Sequence, residues 1–125
     1  MPATATPPES PGPAPVDELP VDVATIRATV DRALEQGTLP AREDLVELEG
    51  LLRGHIQLLL PVAEAAVEQL APGTVEYVGQ RQVLNIAAYR TGRPLAHNRA
   101  TAHTHVRLLA HDARALLAYA PGASR

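Results

Sequence analysis

Five histidines and eleven arginines, with no lysine and no cysteine, hold most of the side-chain chemistry that this 125-residue sequence offers near neutral pH. Absence of Cys removes disulfides, thiolate nucleophiles and cysteine-ligated zinc or iron–sulfur centres together. A helical metal site wants two ligands at i and i+4, or a Glu-x-x-His pair, projecting inward. No two of His97, His103, His105 and His111 have that spacing, and on a helix His103 and His105 point to nearly opposite sides, so no metal ligand is assigned. His55 stands alone at the edge of an apolar stripe, where a packed side chain hydrogen-bonded to a neighbour accounts for it better than a catalyst does.

The sharper pattern lies near the C-terminal end. Helical geometry puts Arg99, His103, Arg107, His111 and Arg114 on one narrow face, away from a Leu and Ala stripe. Such a basic ribbon can be a solvated face, a partner for the acids Glu43, Glu47, Glu64 and Glu68, or a surface for phosphate or an acidic protein. The charge distribution makes the question pointed. Residues 1–76 carry thirteen of the fourteen acids against four Arg, whereas 77–125 carry seven Arg against Asp112 alone. The sequence favours acidic and basic helices that lie together and cancel over a basic half that faces a polyanion.

Other chemistries are absent from the residues. There is no Gly-x-Gly-x-x-Gly or Walker-type loop, so no nucleotide or other cofactor is expected. Ser10 and Ser124 are the only serines and both sit near the termini, which excludes a serine-based triad. The carboxylate pairs Glu43/Glu47, Glu47/Glu49 and Glu64/Glu68 read as surface acids, with Glu49 and Arg53 at i,i+4 spacing. Gly50 and Gly54 read as tolerated helical glycines. No constellation argues for an enzyme.

The elements that must position these residues read as all-α. Seven of the twelve Pro fall in 1–20, where Val16 and Leu19 are the only sizeable apolar side chains of the run, so a disordered Pro-rich tail is expected, followed by one helical domain over 21–121. No basic start and apolar run marks a signal peptide, and no stretch approaches the roughly twenty apolar residues of a membrane span, so a cytoplasmic protein is expected. Asp22 caps a first helix with Val23, Ile26, Val30 and Leu34 on one face and Gly37 as its C′ residue. Thr38 or Pro40 opens a second, over 41–70, with Leu45, Leu48, Leu52, Ile56, Leu59, Ala63, Val67 and Leu70 as its stripe and a kink at Pro61. Thr74 caps a third, for which Val75, Val78, Val83, Ile86 and Tyr89 are the expected buried side chains. The last begins at Pro94 or Asn98 and buries Leu95, Ala102, Val106, Leu109, Ala113, Leu116 and Ala120. Period-2 alternation is missing, and short loops between four helices predict an antiparallel bundle with a thin, Ala-rich core.

Leu52-Arg53-Gly54-His55, followed by an apolar run and Pro61, resembles a motif of a family of small actinobacterial helical proteins of unknown function labelled as natural-product biosynthesis proteins, as does the Ala/Arg/Leu-rich stretch 105–117. The resemblance covers about 41–120 and implies a helical fold without naming a reaction. Scarcity of residue types with AT-rich codons agrees with such a source. Taken together, the residues predict a small non-enzymatic accessory or regulatory protein acting through protein–protein contact or self-association, with the ribbon as its surface. Two other readings compete with it. One is a helix-turn-helix DNA-binding regulator over 80–110, with 80–90 as first helix, 91–95 as turn and 98–110 as recognition helix. The other is an enzyme that would use His55 with Arg53 on a small acidic metabolite.

Overall fold

The computed structural model describes residues 21–121, and the expected tail over 1–20 lies outside them. Four helices follow one another: α1 (Val23–Ala33), α2 (Arg42–Val67), α3 (Val75–Thr91) and α4 (Arg99–Leu117). No strand occurs among the described residues.

Local chemistry sets three of the four starts. The side chains of Asp22, Thr74 and Asn98 accept hydrogen bonds from the amides of Thr25, Tyr77 and Thr101, so each satisfies one of the donors that a helix start leaves free. The fourth start differs from expectation. α2 opens from Ala41, with no side-chain cap, and neither Thr38 nor Pro40 takes that role. Arg42 instead ties this start to the loop before α4 by donating to the carbonyl of Ala96. Gly37 has a φ of 136°, yet it lies in the loop three residues beyond the α1 cap Leu34 and is not C′. Gly73, with a φ of 86°, turns the chain between α2 and α3.

α2 runs unbroken through Pro61. The proline is exposed, as is Gln57, whose carbonyl loses its helical partner to the missing amide, so water can satisfy it there.

Cross-links fix the directions. Arg32 meets Glu47 and His55 meets Thr29, which sets α1 antiparallel to α2. Gln80 meets Tyr119 and Arg90 meets Asp112, which sets α3 antiparallel to α4. The link from Arg42 to Ala96 brings the starts of α2 and α4 together, so these two run parallel. α2 and α4 form the most extensive contact, while α1 and α3 each pack on that pair and do not touch one another. The core lies along the central pair: Leu52, Ile56, Leu59 and Ala63 of α2, and Ala102, Val106, Leu109 and Ala113 of α4, are all fully buried.

α3 reverses the expectation for its packing face. Val75, Val78, Val83, Ile86 and Tyr89 are exposed, from 38% for Ile86 to 91% for Val75. Leu84 and Ala87 are buried in their place, with Tyr77 partly covered. The polar ties from Arg90 and Gln80 to α4 add to this narrow apolar seam. Leu84→Ala is expected to cost about 2–4 kcal/mol of unfolding free energy, and Val78→Ala less than about 0.5 kcal/mol, measured by urea denaturation. Equal losses would show that the outer face of α3 is buried in solution.

Candidate functional site

The ribbon exists as one strip of α4, and its members differ in exposure. Arg99, His111 and Arg114 are exposed, while His103 and Arg107 are half-buried. Arg114 donates to His111 Nδ1 at 3.1 Å; a guanidinium can only donate, so that ring nitrogen accepts. Burial, and then the charge of Arg107, hold the His103 pKa below its ordinary value.

Acidic and basic helices do lie together, since α2 packs on α4, yet their charges do not pair. The three ion pairs among the described residues are Arg32–Glu47, Arg53–Glu49 and Arg90–Asp112, and each joins two groups within the same half of the chain. None links the ribbon to Glu43, Glu47, Glu64 or Glu68. Asp112, the lone acid of the basic half, is buried and held by Arg90 through two hydrogen bonds of 2.7 and 3.1 Å. Its isolation in the sequence was the signal that could have found this pair.

The motif residues around Arg53 and His55 separate. Leu52 is core, Gly54 and Pro61 face outward, and Arg53 turns back to Glu49. His55 Nε2 lies 3.1 Å from Thr29 Oγ1. The Thr29 hydroxyl donates its own proton to the carbonyl of Thr25, so the histidine donates here. His55 thus pins α2 to α1, while Arg53 lies close enough to α4 to depress the titration of His105. The two side chains serve different neighbours and form no common site.

The helix-turn-helix span becomes α3, a seven-residue loop from Gly92 to Asn98, and α4. That loop is longer than the three- or four-residue turn of the motif, Thr91 belongs to α3, and α4 packs against all three other helices.

A shallow cleft of about 220 Å³ opens where α3 meets α4, lined by Tyr89, Arg90, Arg93, Thr101, His105 and Leu108. Arg93 donates to the Tyr89 hydroxyl at 2.6 Å and lies over its ring. His105 Nε2 has no hydrogen-bond partner, but it is closed off from solvent, so nothing in the cleft can reach it without rearrangement. Burial first, and then Arg53, Arg90 and Arg93, lower its pKa, with Asp112 opposing. Among the described residues no three His, Asp or Glu side chains are arranged to hold a metal ion.

Large apolar side chains also stay open: Val46, Leu51 and Leu58 on α2, Leu108 on α4, and the largest group on α3. The outer face of α3 presents Val75, Val78, Gly79, Gln82, Ile86 and Tyr89 at helical spacing, bordered by Val83. α1 occupies the opposite flank, and its exposed residues there are Ala24, Arg27, Ala28 and Asp31. Sequence periodicity found the α3 face and assigned it to the core.

Fold and surface define a four-helix bundle protein whose polar interior groups act as ties between helices. The chain belongs to the family of unknown function DUF6415, whose model matches residues 24–125. No curated protein and no solved structure matches it.

The histidines give a pH dependence. Burial lowers the pKa of His55 from 6.5, with Asp22 opposing, and lowers those of His103 and His105 as well. Between the folded and unfolded pKa values the unfolded chain binds more protons. Stability is therefore fully present above 6.5 and falls on acidification through the lower folded values. His55→Gln keeps a donor for Thr29 and cannot titrate, so the slope of unfolding free energy between about pH 7 and pH 5.5 is expected to shrink in urea titrations. An unchanged slope would remove His55 from the set.

Proposed function

We propose that this protein is a small non-enzymatic accessory or regulatory module that binds another protein surface through the outer face of α3. The observation that carries this reading is the exposure of Val75, Val78, Val83, Ile86 and Tyr89 on one side of a single helix. Their open surface is on the order of 500 Å², a size that in other proteins commonly marks a contact site. An apolar helix face of this kind is matched by another apolar helix laid along it.

The polar groups support the same reading from the other side. Arg90, Arg53, Arg32 and His55 are each engaged with a neighbouring helix or turn, which leaves no matched acid, base and nucleophile around a closed pocket. The ribbon of Arg99, His103, Arg107, His111 and Arg114 becomes an accessory electrostatic surface on α4 that biases which partners approach. Resemblance of Leu52-Arg53-Gly54-His55 and Pro61 to actinobacterial proteins with a natural-product label supports a role beside specialised metabolism in the cytoplasm. Among the described residues no helix is long and apolar enough to cross a membrane.

A photocrosslinking amino acid at Gln82, in the middle of the α3 face, tests this in the native host. Irradiation is expected to give a discrete protein adduct from position 82 and none from Asp31 on the outer side of α1. Absence of any adduct from position 82 would overturn the reading.

A further inference from the structure

We infer that the surface which covers α3 is α3 of a second copy of this chain, laid antiparallel about a two-fold axis near Gln82. This rests on the reading of α3 as a contact face and adds its occupant.

Three observations carry it. The first is shape. Along the face the small members Val75, Val78 and Gly79 fall in the N-terminal half, and the larger Ile86 and Tyr89 in the C-terminal half. An antiparallel copy centred on Gln82 sets Val75 opposite Tyr89 and Val78 opposite Ile86, small against large along the whole length. A parallel copy would stack large on large and leave the small half loose. The absent Cβ of Gly79 leaves open space on this side, with no atom beyond its chain neighbours and its own helix backbone within 4 Å of where a Cβ would stand, and Ile86 of the second copy comes nearest to it.

The second is charge. The first turn of α3 carries Glu76, and just past its far end stands the exposed Arg93, while Arg90 is already neutralised by Asp112. Antiparallel pairing brings the acidic end of each helix to the basic end of the other and opposes the two helix dipoles, whereas parallel pairing sets Arg against Arg.

The third is area. Two copies of a face of roughly 500 Å² remove about 1,000 Å² before the flanking side chains are counted, the lower bound for a specific interface between chains. The segment 1–20 is a poorer cover. Beyond Met1 it has only Val16 and Leu19 as sizeable apolar side chains, and it enters the fold at α1, the helix that α3 does not touch.

The test uses the purified full chain and sedimentation over a wide concentration range. Wild type is expected to pass from the 13.3 kDa monomer to twice that mass. Val78→Glu with Ile86→Glu, both at exposed positions, is expected to keep the helical circular dichroism and thermal midpoint of a folded protein and to weaken association by about a hundredfold or more. Glu76→Arg is expected to weaken it by a few-fold, and adding Arg93→Glu to restore it, a rescue that only the antiparallel arrangement produces. Because the chain has no cysteine, Gln82→Cys supplies a single thiol at the axis, and mild oxidation is expected to link two copies through it, whereas Thr104→Cys on α4 does not. Wild type that stays monomeric to about 1 mM, or a Val78/Ile86 variant that associates like wild type, overturns the second copy. A Gln82 adduct in cells whose mass is not twice the chain, joined to a monomeric purified protein, would leave the contact face standing and remove self-pairing alone. No adduct and no association would remove both.

Discussion

Everything in this fold hangs on the parallel contact between α2 and α4. Sequential helices joined by short loops must reverse direction, so two helices that share a direction are never neighbours along the chain and usually sit across a diagonal. Here the diagonal is the most extensive contact in the molecule, and the buried alanines make that approach feasible: Ala63 on α2, and Ala102, Ala110 and Ala113 on α4, are fully enclosed. Bringing one diagonal together pushes the other apart. That is why α1 and α3 end on opposite flanks, each with one side against the pair and one side outward.

The polar residues make sense within that frame. A helix that packs through Leu84, Ala87 and part of Tyr77 has little apolar seam to hold its register. Arg90 chelating the buried Asp112 supplies it, because a bidentate guanidinium–carboxylate pair fixes both distance and direction. His55 against Thr29 does the corresponding work between α2 and α1. Groups that a reader of the sequence would first suspect of chemistry are thereby spent on holding helices in place. Charge, by contrast, is left unbalanced: each ion pair among the described residues closes within its own half, so the two halves keep their excess there even where α2 lies on α4.

Much of this was legible in the residues, and the failures share a cause. Asp22, Thr74 and Asn98 marked helix starts because capping is a local bond between residues three apart. The stripes of α2 and α4 were read correctly from Leu45 to Val67 and from Ala102 to Leu116, where every named member is buried, whereas Leu70 and Leu95 lie beyond the helices and are only partly covered. Ala41 carried no capping side chain and so gave no signal; what fixes that start is Arg42 reaching a carbonyl more than fifty residues away. For α3, periodicity says which residues share a face and nothing about what lies opposite it. Val75, Val78, Ile86 and Tyr89 do share a face, and the bundle sits on the other one. The ribbon was equally legible as a strip of α4, whereas its lack of an acidic partner among the described residues depended on three-dimensional neighbours that spacing does not encode.

The separation of α1 from α3 has a consequence for how such a chain can change over generations. Side chains that share no neighbours contribute to folding independently, so substitutions on the outward faces of α1 and α3, which do not touch one another, combine additively. The outward surface of α3 can therefore drift, acquire new residues or lose old ones without any matching change on α1, and with little change in the buried alanines between α2 and α4. A bundle built this way keeps heritable variation in its surface apart from the constraint that keeps it folded.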